Sequence, residues 1–191
     1  MTDTIRSNIL QAARHLFAHR GYGSTSVREV VTRAGVTKPT LYYWFENKEA
    51  LYLECLRATF AELNPLVEAA LNGPGDFRAR LVRFAHDYIQ KGLDDLDGVR
   101  LALTATNPSH EKRPEIDLMS FHHTYFGPLE RFFADGVDQG TFRTDLDPAF
   151  MVVSLVGALS MHMRGAIEGL PLPDDYAEQI VDVFLNGVAQ R

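Results

Sequence analysis

The chain has 191 residues, 46% hydrophobic and 23% charged, with a net charge of -6. That balance excludes wholesale disorder and leaves room for one sizeable core, or a small module joined to a larger one. The acidity hides an asymmetry: residues 1–48 hold seven Lys/Arg against three Asp/Glu, and the remainder holds twelve against twenty-two, so only the head is expected to meet a polyanion.

In chain order, helical periodicity dominates and strand signals are scarce. A first helix is predicted from about Thr4 to His19, with Ile5, Ile9, Ala13, Leu16 and Phe17 on one apolar stripe and Gly21 at a left-handed C-cap. Ser26 and Glu29 form an S-x-x-E capping box that opens a short second helix, Val27 to Ala34, ended by Gly35. Thr37 caps a third short helix with Pro39 in its first turn, where a missing N–H costs nothing. Asn47 caps a much longer helix expected to run to about Leu71, before the Gly-Pro-Gly break at Gly73 to Gly75. Amphipathic stretches follow at about Asp76 to Gly92, Asp97 to Ala105, Pro114 to Gly140, Pro148 to Glu168 and Pro173 to Gln190, punctuated by prolines. The expected fold is all-α with about nine helices: three in a helix-turn-helix head at 1–48, six in a body at 49–191.

The single cysteine, Cys55, leaves no internal disulfide and fits a reducing compartment as an inert, partly buried thiol. Arg6 and Arg14 interrupt any candidate secretory signal. The uncharged stretch from Ala149 to Met163 falls short of the roughly 20 residues that a bilayer span needs. A cytoplasmic protein with no membrane partner is expected.

Function concentrates in the two short helices. Val27 to Ala34 and Lys38 to Phe45, joined by a tight Gly-containing turn, have the spacing of a helix-turn-helix. Val30, Ala34, Val36, Leu41 and Phe45 supply inward positions, which leaves Lys38, Thr40, Tyr42 and Tyr43 pointing outward. Two exposed tyrosines on one short helix gain little in water, yet a phenol offers DNA an apolar face and a hydroxyl. Core filling is the rival reading; it suits Phe45 and partly Trp44, but seven residues of one helix cannot all face inward.

The run "AARHLFAHRGYGSTSVREVVTRAGVTKPTLYYWFENKEAL" resembles the N-terminal DNA-binding domain of the TetR/AcrR family of transcriptional regulators. The matching parts are LFA-x-x-GY, TSVREV, AGV and TLYY-x-F-x-x-KE-x-L. The resemblance implies a homodimer on palindromic double-stranded operator DNA, released by a small-molecule effector. It implies that Thr25, Ser26 and Arg28 hold the DNA backbone, that Lys38, Pro39, Thr40 and Tyr43 approach bases or nearby phosphates, and that Tyr42 and Lys48 clamp phosphates. Trp44 departs from the pattern, standing where relatives often carry His; an indole N–H can still donate but cannot charge.

Apolar surface on the last two predicted helices, with Met151, Leu155, Ala158, Leu159 and His162 on one and Ile180, Val181, Val183, Phe184 and Val188 on the other, serves either as intrachain core or as a dimer seam. The resemblance favours the seam. It also implies an effector pocket, for which His122 on the stripe with Phe121 and Tyr125, and Phe84, Tyr88 and Thr104 on preceding helices, are candidates; a filled core is the alternative for each. Repression is favoured over activation, since a dimer on a promoter most simply excludes polymerase. A helical metal-dependent enzyme is the distant rival. His110-Glu111 opens like a zinc-protease helix, but Pro114 stands where the second His belongs, and the adjacent His122 and His123 point to different faces. No cofactor, metal or catalytic residue is expected.

Overall fold

Residues 2–106 and 114–188 are described by a computed structural model, without the side chains of residues 2, 3, 106, 118–123 and 188. The described residues form ten α-helices and no strand. Packing divides the chain into two compact units: Met1–Ala61 with Asp95–Asp117, and Glu62–Asp94 with Leu118–Arg191.

The first unit contains α1 (Thr2–Ser24), α2 (Val27–Ala34), α3 (Lys38–Trp44), α4 (Lys48–Ala61) and α7 (Leu96–Thr106). Gly21 takes φ 75 and ψ 169, a non-helical break at the expected position with positive φ but not the left-handed helical ψ, and one further turn runs on to Ser24. Helix α1 packs against α2, α4 and α7 through Ile9, Ala13, Leu16 and Phe17. These residues meet Val30, Leu41, Leu51, Tyr52, Leu56 and Leu101 in one buried cluster. Phe17 and Tyr22 stack, and both meet Tyr52 edge-on, with ring centroids 5.1–5.9 Å apart. Cys55 is buried here, and desolvation pushes its thiol up to about 12.

The second unit contains α5 (Asn64–Asn72), α6 (Phe77–Asp94), α8 (Leu118–Asp138), α9 (Pro148–Ile167) and α10 (Tyr176–Val188). Its core joins Leu81, Phe84, Ala85 and Ile89 of α6 to Leu129 and Phe133 of α8, Met151, Leu155 and Leu159 of α9, and Ile180 and Val181 of α10. Gly92 lets α6 meet α9 closely: a Cβ there would stand 1.8 Å from Met163 Sδ.

Two expectations change. The long helix predicted from Asn47 to Leu71 is two helices, broken at Glu62 and Leu63. Pro65 lies in the first turn of α5, and a proline there can neither donate to the carbonyl of Ala61 nor avoid its bulk. That break accounts for ten helices instead of nine. In addition, α9 spans 20 residues and is long and apolar enough to cross a bilayer; its Met151, Val152, Leu155, Leu159 and Met163 are nonetheless spent on the protein's own core. The His110-Glu111 pair lies outside the described residues, and Pro114 to Asp117 is not helical.

Candidate nucleic-acid interface

The geometry starts from caps. Ser26, extended at φ -102 and ψ 150, accepts from the Glu29 N–H while its own N–H donates to Glu29 Oε2 at 2.9 Å. The Ser26 backbone N–H, then its hydroxyl, then Arg20 hold the Glu29 carboxyl below the usual carboxylate range. The turn rests on Gly35, which closes α2 in the left-handed conformation (φ 67, ψ 32). The Val36 N–H donates to the Val31 carbonyl at 3.0 Å, a Schellman-type closure. Thr37 then caps α3 by accepting from the Thr40 N–H at 3.3 Å. Pro39 sits in the first turn.

Leu41 anchors α3 from below, and Phe45, just past its end, is buried with it. On the opposite side, Lys38 and Pro39 are exposed, as are Tyr42 at 49% and Tyr43 at 78%. Trp44 is half-buried and meets Tyr43 edge-on, with centroids 5.2 Å apart. Thr40 is half-buried, its hydroxyl 2.8 Å from that of Thr37. Ser26 and Arg28 stand on the surface at the start of α2.

Two residues expected at the DNA backbone face inward. Thr25 is 2% exposed and its hydroxyl donates to the Gly21 carbonyl at 2.8 Å. Lys48 sends Nζ to the carbonyls of Tyr22 (2.9 Å) and Thr25 (3.1 Å) and lies over the Tyr22 ring, 4.0 Å from its centroid. It therefore ties the end of α1 to the start of α4, where a cation also meets the negative end of the α1 dipole. Sequence spacing carried no signal for this role, because the carbonyls lie more than twenty positions upstream.

The candidate pocket residues do not form one set. Phe84, Tyr88 and Tyr125 are buried in the second unit, with the Tyr88 hydroxyl 3.0 Å from Ser160 Oγ. Thr104 belongs to the first unit and donates to the Leu101 carbonyl at 2.8 Å. The side chains of Phe121 and His122 lie outside the described residues. A cleft of about 790 Å³ in the second unit is lined instead by Glu68, Asp76, Arg80, Arg131, Phe132 and Asp135, among others.

Two short helices locked by a left-handed glycine, one presenting an aromatic and basic face, define a helix-turn-helix DNA-binding protein. Residues 9–55 match the family model for bacterial regulatory proteins of the tetR family, which makes the chain a transcriptional regulator with a DNA-binding domain of that family. It is 26% identical over 164 residues to the HTH-type transcriptional repressor DhaR of Mycobacterium sp. (strain GP1), covering 81% of this chain and 80% of that protein. It is 27% identical to the repressor KstR2 of Rhodococcus jostii, covering 96% of this chain and 91% of that one. Among solved structures, a TetR family regulator from Marinobacter aquaeolei superimposes with a TM-score of 0.85 at 21% identity, over 99% of this chain and 97% of that one.

Proposed function

We propose that the chain is a repressor that binds a palindromic operator as a homodimer and is released by a small-molecule effector. The observation that carries this reading is the outward face of α3, where Lys38, Tyr42 and Tyr43 are held out by a buried Leu41. A cylinder of that size fits a major groove about 12 Å wide. Ser26 and Arg28 are then the backbone contacts nearest the entry of α2. DhaR and KstR2, which align over most of this chain, are named repressors, whereas the similarity to the activator FasR of Mycolicibacterium smegmatis covers 52% of it.

Two half-sites about 34–36 Å apart on DNA require a two-fold partner. The seam proposed is the outer side of α9 and α10, where Phe150, Val153, Met161 and Val183 remain exposed at helical spacing. Met151, Leu155 and Leu159 are excluded from it, because the chain's own core already covers them. The functional division proposed is residues 1–48 for DNA and 49–191 for effector and partner. Within the second part, Tyr88 and Tyr125 offer buried phenols for orienting an effector.

Selection of bound fragments from the source genome tests the operator. Thr40→Ala and Tyr43→Ala should change preference among the recovered sequences, whereas Arg28→Ala should weaken binding to all of them. Phe150→Asp combined with Met161→Asp should convert the dimer to a monomer in sedimentation and abolish operator binding. A wild-type chain that recovers no fragments at low salt would refute the reading, as would a dimer that survives both aspartates.

A further inference from the structure

Helix α1 carries His15 and His19 one turn apart, so both imidazoles project from the same side of the helix. Their rings lie 4.4 Å apart, centroid to centroid. Asp97, in the first turn of α7, meets both: Oδ2 is 2.8 Å from His15 Nδ1 and Oδ1 is 2.8 Å from His19 Nε2. The three donor atoms all lie within 4.8 Å of one another. Each side chain keeps about a third of its surface open, at 35%, 39% and 32%. A cleft of about 570 Å³, lined by Asn8, Gln11, His15, Arg33 and Asp97, opens beside them.

The protons of this cluster cannot all be satisfied. Arg100 Nη1 lies 3.2 Å from His19 Nε2, the same nitrogen that faces Asp97. A guanidinium only donates and a carboxylate only accepts. If Nε2 carries a proton it serves Asp97 and confronts Arg100; if it does not, it serves Arg100 and sets a lone pair against the carboxylate. A bound cation removes the second conflict, because one ion accepts both lone pairs.

We propose that His15, His19 and Asp97 form a three-ligand site for a divalent ion of the zinc, cobalt or nickel class, clamping α1 to α7 within the unit that carries the helix-turn-helix. Two imidazoles and one carboxylate suit these metals rather than magnesium or calcium, whose preferred donors are oxygens. Metal–ligand bonds of about 2.0–2.2 Å need donor atoms roughly 3.4 Å apart in a tetrahedron. The two 2.8 Å contacts are to different Asp97 oxygens; the oxygen that ligates opens its contact by about half an ångström, and the other oxygen gives up its histidine to the ion, within reach of small side-chain rotations. Water from the adjoining cleft fills the fourth position. Each neutral imidazole moves its proton to the ring nitrogen that does not bind. Of the neighbouring cations, Arg14 is paired with Asp95 and Arg33 stands at the cleft. Arg100 is the one in contact with a ligand, and it opposes the ion.

The test uses the tag-free full-length chain in equilibrium dialysis against zinc chloride, with cobalt(II) absorbance as the coordination readout. One ion per chain should bind with Kd below about 10 µM. His15→Gln with His19→Gln, or Asp97→Asn alone, should weaken it by at least roughly 100-fold, since losing even a partner that only orients a ligand costs about 10–100-fold. Arg100→Gln should tighten it several-fold, a gain that no merely structural role for Arg100 produces. Folding of each variant is checked by circular dichroism without metal. Imidazole NMR signals of the wild-type chain give a readout free of variants: zinc should move those of His15 and His19 first. No binding at about 100 µM zinc, undiminished binding by the folded double variant, or first shifts at other histidines would each overturn the site. Operator binding by metal-free protein is measured separately, so failure of the DNA reading and failure of this site are distinguishable.

Discussion

Replacing Lys48 by Met keeps the aliphatic stem and removes the ammonium that bridges α1 and α4. Two hydrogen bonds from a charged donor, to Tyr22 and Thr25, disappear together with the contact over the Tyr22 ring. Hydrogen bonds to charged groups are worth about 1.5–3 kcal/mol when fully buried, and an exposed cation–π contact about 0.5–1 kcal/mol. Lys48 is only half-buried, so water screens it and replaces part of what is lost; the Tyr22 carbonyl also keeps the Thr25 N–H. The net cost is about 2 kcal/mol. For a chain of this size that lowers Tm by roughly 4–8 °C. Thermal and urea unfolding of wild type and Lys48→Met provide the measurement. Operator affinity at several salt concentrations tells whether the remaining N–H also meets a phosphate, in which case the log–log salt slope falls by about one. A variant that melts within about 1 °C of wild type would refute the stapling role.

Gly35→Ala should cost about 1 kcal/mol from positive φ alone, because nothing lies within 4 Å of the added Cβ; a urea midpoint shift equivalent to more than about 3 kcal/mol would mean that the turn does more than set backbone shape. Cys55 should resist thiol reagents at neutral pH until the chain unfolds, since it is buried and its thiol is pushed up to about 12; prompt labelling of native protein would contradict this. Burial works to raise the Asp97 carboxyl, but hydrogen bonds from His15 and His19, and their charge, outweigh it and hold it below the ordinary value. A depressed carboxylate stabilises the fold above its unfolded pKa of about 3.9 and loses that contribution as pH falls through the lower folded value. The stability gap between wild type and Asp97→Asn should therefore be present at about pH 5 and close below about pH 4; a gap that widens on acidification would contradict the sign.

Features set within four residues of chain were legible before any coordinates. The Ser26–Glu29 box, the helix end at Gly35 and the Thr37 cap are such features, and each is fixed by backbone geometry that the neighbouring side chains complete. The outward tyrosines were legible for the same reason, because Leu41 and Phe45 fix which side of α3 is buried. What could not be read depends on partners distant in sequence. Lys48 has the charge of a phosphate clamp, and only the approach of α1 shows its ammonium engaged by carbonyls. The apolar pattern of α9 allowed either side to be core; packing in the second unit buries Met151, Leu155 and Leu159 and leaves Phe150 and Met161 outside. His15 and His19 carry the H-x-x-x-H spacing, but Asp97 is 82 and 78 positions away from them, so the third donor had no local mark. Pro65 did carry one, and its position alone predicts the break that ends α4.

Helix α3 reads KPTLYYW and has no acidic residue in its first turn and no basic residue in its last. Lys38 is its sole ionic side chain; the rest of its outward surface consists of hydroxyls, rings and a pyrrolidine. Such groups displace few condensed counterions. Discrimination between operators should consequently persist at ionic strengths that already weaken overall attachment. On the proposed reading, Arg28 on α2 sets how tightly the protein holds any duplex, and the outward hydroxyls and rings of α3 set which duplex it prefers.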